Sequence, residues 1–133
     1  GSGNPPSVAW SAITDSPAAY NSRSLMWYSG YPSPGTTVGP QYTMPFAGTF
    51  SKAWLKIVSA PTGANLIVDI NKNGTTIASS KPTIVAGATS GSSTSFDTTT
   101  FAVGDIITMD IDQVGSTVAG TGLTIQLDVI LST

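Results

Sequence analysis

Histidine, cysteine and glutamate are all absent from this 133-residue chain, and each absence removes a class of function. Without imidazole or thiol there is no Ser-His-Asp or Cys-His nucleophile pair and no zinc site of the ordinary kind. Disulfides are excluded for the same reason, and the thiol content says nothing of redox compartment. Charge is scarce too: 9% of residues are charged, against roughly 25% in an average soluble protein. Five Lys and Arg stand against seven acids, all of them Asp, for a net charge of −2. No basic cluster exists to displace phosphate counterions, so nucleic acid is not an expected partner. No apolar run approaches the roughly 18–20 residues of a membrane span, and no membrane insertion is expected.

Other chemistry fails on the same grounds. There is no GxxxxGK[ST] loop, and the Gly-rich stretch Gly115 to Gly122 carries no Lys or Arg to hold a phosphate. Glycosidase chemistry needs two carboxylates at a fixed separation, one with a raised pKa. The Asp residues fall mostly at turns or on outward strand positions, where solvation keeps a pKa low. No enzymatic activity, no catalytic residue and no cofactor are expected.

What remains is apolar and neutral-polar. Hydrophobic residues make up 40% of the chain, with 14 Gly and 9 Pro as punctuation. Val, Ile, Thr and aromatics are plentiful while strong helix formers are few, which favours β-structure with a hydrogen-bonding surface. Gly1, Ser2 and Gly3 read as a cloning remnant. Residues 4–40 are rich in Pro, Gly, Ser and Tyr, with one short apolar run, Ser24 to Tyr28, that suits an edge strand. Residues 41–133 read as a head domain built of strands and turns.

Period-two alternation locates the strands. From Phe50 to Val58, Ala53, Leu55 and Ile57 face one way and Phe50, Lys52, Trp54, Lys56 and Val58 the other; the first face suits the core. Leu66, Val68 and Ile70 share an inward face, with Ile67, Asp69 and Asn71 opposite. Asn73-Gly74 then supplies the positive φ angles of a type I′ hairpin, pairing Lys72 with Thr75 and Ile70 with Ile77. Thr83 to Ala86 is a short strand, Ala88 to Ser95 a loop, and Phe101 to Asp105 a turn. Ile107, Met109 and Ile111 point inward on the next strand, and Leu123, Ile125, Leu127, Val129 and Leu131 on the last. About eight short strands predict an all-β fold, an antiparallel β-sandwich of jelly-roll type.

Two constellations stand out. Asp110, Asp112 and Asp128 would share an outward face if the last two long strands pair; the alternatives are a calcium site of hard oxygen ligands and a plain solvated sheet face. No DxDxDG loop is present, which favours the solvated face. Trp54, flanked by Lys52 and Lys56, is the candidate ligand-binding group, because an indole beside hydrogen-bonding residues is a platform for a sugar ring and an interface anchor. The competing reading is packing in the core or between subunits, with the lysines snorkelling past it. Trp27, Tyr28, Tyr31 and Tyr42 form a second aromatic group, expected to lock the Pro-rich segment onto the sandwich or onto a neighbouring subunit.

The run Trp10-Ser11-Ala12-Ile13-Thr14-Asp15-Ser16-Pro17-Ala18-Ala19-Tyr20 resembles a phage tail-fibre motif, W-x-x-I-x-x-x-P-x-x-[FY]. Trp10, Ile13, Pro17 and Tyr20 match, and Asp15-Ser16 replaces the common Gly-Lys. A second resemblance spans residues 48–131. Gly48-Thr49-Phe50, Ala60-Pro61-Thr62-Gly63, Val68 to Thr75, Val103-Gly104-Asp105 and Ile111 to Ser116 are similar, in that order, to a β-sandwich domain of phage tail and baseplate proteins. The resemblance implies a jelly-roll head, frequently a homotrimer, displayed on the virion tail beside other tail proteins and acting outside the host cell. The resemblance transfers no catalytic or binding residue; the leading expectation is host attachment through a bacterial surface glycan. The alternatives are a purely structural virion module, a polysaccharide depolymerase fragment, or a carbohydrate-binding module of a secreted hydrolase.

Overall fold

The computed structural model describes residues 21–132. The segment Trp10 to Tyr20 and residues Gly1 to Gly3 lie outside the described residues. Ten strands are present among the described residues: β1 (Ser22–Ser29), β2 (Tyr42–Thr43), β3 (Gly48–Ser59), β4 (Leu66–Lys72), β5 (Thr75–Thr76), β6 (Thr83–Ile84), β7 (Ser90–Ser93), β8 (Thr100–Phe101), β9 (Ile106–Gln113) and β10 (Thr121–Leu131). They form two antiparallel sheets. One has the order β1-β10-β3-β7, with β8 also on β3; the other has the order β2-β9-β4-β5, with β6 also on β4. The protein is an all-β sandwich, as the alternation predicts.

The interior holds the residues whose parity put them there. Ala53, Leu55 and Ile57 from β3 meet Leu123, Ile125, Leu127 and Val129 from β10, and Leu66, Val68, Ile70, Ile107, Met109 and Ile111 come from the facing sheet. All are buried, and at about 25 cal/mol per Å² of apolar surface this shared layer is the main stabilising contribution. The hairpin also forms as expected. Lys72 pairs with Thr75, Ile77 N–H donates to Ile70 O at 3.0 Å, and Asn73 and Gly74 take φ of 53° and 83°. The Asn73 side chain ties this turn to the next strand, donating to Asp105 Oδ1 at 3.0 Å and accepting from Ile106 N–H at 2.9 Å.

Residues 22–40 are integral to the sandwich. β1 is an edge strand beside β10, and Trp27 is buried with its indole N–H donating to Pro40 O at 2.8 Å. Tyr42 meets the Trp27 ring edge-on at 5.3 Å, and its hydroxyl donates to Met26 O at 2.6 Å. Trp27 and Tyr42 thus lock β1 down, whereas Tyr28 and Tyr31 are exposed.

Three expectations are corrected. Phe50 belongs to the core, not to the face of Trp54. Lys52 pairs with Asp128 but Phe50 pairs with Val129, so β3 carries one extra residue, Ser51. That bulge inverts the parity beyond it and turns Phe50 inward against Phe96 and Phe101. Ala88 to Ser95 is not simply a loop: Ser90–Ser93 pairs with the edge of β3. Finally, Asp110 and Asp112 lie on β9 and Asp128 on β10, in different sheets, so the three do not gather. Asp69 stands with Asp110 and Asp112 instead.

Candidate functional site

The outer face of the β1-β10-β3-β7 sheet is set by register. Met26, Gln126, Trp54 and Ser92 form one row across four strands; Tyr28, Thr124, Lys56 and Ser90 form the next; Ser24, Asp128 and Lys52 form a third on the other side. Neighbouring strands are about 4.8 Å apart and alternate residues about 7 Å apart, so these rows make one continuous patch.

Trp54 sits at the centre, 44% exposed. It is therefore not a core residue, and the snorkelling alternative falls away for the single chain. Its indole N–H donates to Asp128 Oδ2 at 2.7 Å, and the Lys52 ammonium lies 3.6 Å from the ring centroid. The first contact fixes the ring's rotation and the second adds a cation–π attraction, weak at an exposed position. Lys56 stands in the adjacent row opposite Thr124. The structure thus joins Trp54 directly to Lys52 and leaves Lys56 at the flank.

Asp128, which periodicity placed outward but grouped with Asp110 and Asp112, is the hub of this face. Its Oδ1 accepts from Ser24 Oγ and from Gln126 Nε2, each at 2.8 Å. Partial burial pushes its pKa upward, but the donors Gln126, Ser24 and Trp54 and the Lys52 charge together outweigh that and hold it below the ordinary carboxylate value. The carboxylate stays ionised at neutral pH and braces three side chains from three strands. Finding it requires knowing that β10 lies between β1 and β3, a pairing that no local pattern encodes.

The patch runs on toward one end of the sheet. There Tyr28, Gly30, Tyr31, Val58, Thr121 and Gly122 line a shallow hollow of ≈ 410 Å³. Tyr28, Tyr31 and Val58 are 62%, 88% and 80% exposed. Together with Trp54 and Met26 they give this face an apolar, aromatic character interleaved with amide, hydroxyl and ammonium groups. Such a surface can stack a planar or C–H-rich ligand face and hydrogen-bond its hydroxyls; nothing in it resembles a proton-transfer pair.

The described carboxylates that could hold a metal, Asp69, Asp110 and Asp112, lie on the other sheet. No family model matches this chain, and no curated protein is significantly similar to it.

Proposed function

We propose that this chain is the head domain of a phage tail-fibre or baseplate protein, which attaches the virion to a bacterial surface glycan through the Trp54 face. The observation that carries the reading is the half-exposed indole of Trp54, already held in one orientation by Asp128, with the Lys52 ammonium against its ring and the amide and hydroxyls of Gln126, Thr124 and Ser92 in the adjoining positions. A ring immobilised in advance spends little further entropy when a sugar stacks on it. The sequence resemblance over residues 48–131 supports the virion setting.

Contacts of this kind are shallow, and one site alone would bind weakly. In a homotrimer, tethered copies raise the effective concentration, and avidity exceeds single-site affinity by about 10²–10⁴. The exposed Tyr28, Tyr31 and Val58 offer apolar surface on which neighbouring subunits could meet. The same surface favours a second reading, a module that only assembles the tail and carries no ligand.

An array of bacterial lipopolysaccharide O-chains, capsular polysaccharides and teichoic acids separates the two. The intact chain is expected to bind a defined subset, and Trp54→Ala to lose that binding while keeping its oligomeric state by light scattering. Binding to no glycan and to no bacterial cell surface would leave the assembly reading in its place.

A further inference from the structure

The outer face of the β4-β9 sheet carries an electrostatic cost that the fold itself does not require. Asp69 on β4 and Asp110 on β9 are direct cross-strand partners, and like charges placed opposite each other destabilise a sheet. Asp112 is brought in by a bulge. Ile67 pairs with Gln113 and Val68 with Ile111, so Asp112 is the extra residue of β9. Bulges commonly re-aim a side chain beside a functional site. One oxygen from each of the three carboxylates lies within 4.8 Å of the others.

Grouped acids alone are ordinary; the second observation is at Asp69. This residue is only 8% exposed, although its parity places it on the outside of the sheet. Its Oδ1 is buried and has no hydrogen-bond partner, while Oδ2 accepts from Thr76 Oγ1 at 3.0 Å and lies 3.6 Å from the Lys81 ammonium. Asn71, 6% exposed, follows on the same face. Its amide nitrogen donates to Asp110 Oδ2 at 3.0 Å and to Asp69 O at 3.4 Å. Its Oδ1 faces only the Thr76 hydroxyl, at 3.4 Å, and the single hydrogen of that hydroxyl is better placed toward Asp69. A buried acceptor without a donor is a mark of an ion or water that belongs there. Burial pushes the Asp69 carboxyl above its ordinary range, Asp112 and Asp110 add to that, and Thr76 and Lys81 oppose it. One ammonium, Lys81, 2.5 Å from Asp112 Oδ2, answers three carboxylates.

We propose that Asp69, Asp110 and Asp112 form a binding site for a hard divalent cation of the calcium type, with the Asn71 carbonyl oxygen as a further donor and Lys81 as the competing internal cation. The donor set is all oxygen, which suits calcium and excludes thiolate- or imidazole-seeking metals. Calcium–oxygen distances of about 2.3–2.6 Å let two ligands of one ion stand about 5 Å apart, which this cluster meets. Magnesium, at about 2.0–2.1 Å, demands near-ideal octahedral geometry and gives up its waters reluctantly, so a mixed carboxylate and amide donor set favours calcium. Asp112 is exposed and opens the site to a hydrated ion arriving from solvent.

Calorimetric titration of the chelator-treated protein with calcium chloride, with magnesium chloride and sodium chloride at matched ionic strength, tests this. One saturable calcium per chain is expected, with a dissociation constant on the order of 10⁻⁴–10⁻³ M, as in extracellular modules. The melting temperature should rise by on the order of 5 °C at ~10 mM calcium. Lys81→Met should tighten binding several-fold, and Asp112→Asn, an exposed change that leaves the core untouched, should weaken it by about tenfold. The proposal is overturned if neither the wild type nor Lys81→Met gives saturable heat. It is overturned equally if magnesium matches calcium and the shift survives in the Asp110→Asn, Asp112→Asn double variant, which would mark general charge screening.

Discussion

Trp54 on β3 and Asp128 on β10 are joined by a 2.7 Å hydrogen bond from the indole N–H to Oδ2, on the outer face of the sandwich. The bond links the residue most suited to touch a ligand to the carboxylate that organises its surroundings. Trp54→Phe keeps an aromatic ring but removes the donor. It should lower stability by about 1 kcal/mol, seen as a lower urea midpoint at unchanged slope. It should also weaken glycan binding less than Trp54→Ala does, because the stacking surface is largely retained.

Acid should loosen the same face. The folded-state pKa of Asp128 is depressed, so its contribution is present above the unfolded value of about 3.9 and is lost as pH falls through the lower folded value. Asp105 acts in the same direction, held low by the Ala102 N–H and the Asn73 amide. Thermal melts from pH 6 to pH 3 should therefore show a steeper decline for the wild type than for Asp128→Asn.

Phe50 and Val58 share a parity along β3 but not a fate. Phe50 is buried, with Phe101 at 5.1 Å and Phe96 at 6.0 Å between ring centroids, whereas Val58 is exposed. Phe50→Ala should cost about 3–5 kcal/mol through the cavity it opens. Val58→Ala should stay within about 0.5 kcal/mol in the isolated chain. Chemical denaturation of the two variants side by side reads the difference, and equal costs would contradict the bulge at Ser51.

Gly91 on β7 has no room for a side chain. A Cβ there would stand 2.0 Å from the Thr83 carbonyl oxygen and 3.0 Å from its carbon. Both obstacles are backbone, so β6 and β7 would have to part. Gly91→Ala should destabilise by at least about 2 kcal/mol, while Ser92→Ala beside it should be near neutral in a thermal melt.

Much of this fold is legible from residue spacing. The inward faces of β4 and β9, of β3 from Ala53 to Ile57 and of β10 from Leu123 to Val129 follow from alternation, and Asn73-Gly74 sets the hairpin because few residue pairs accept two positive φ angles. Lys52 and Trp54 are on one face by the same arithmetic. What the spacing does not contain is the choice of partner. The two most regular strands, β9 and β10, went to different sheets, which exchanged Asp128 for Asp69 in the carboxylate group. The bulge that turns Phe50 inward is fixed by pairing with Val129, far along the chain. Ser90–Ser93 has no strand propensity of its own and is a strand because the edge of β3 offers hydrogen bonds.

β10 runs through the middle of its sheet, with β1 on one side and β3 on the other. A ribosome releases β1 and β3 well before β10, and they cannot pair with each other across the gap it will fill. Until β10 emerges, Trp27, Leu55 and Ile57 lack their cover, and the nascent chain is open to association with others. Half of the sandwich therefore closes only when β10 takes its place between β1 and β3.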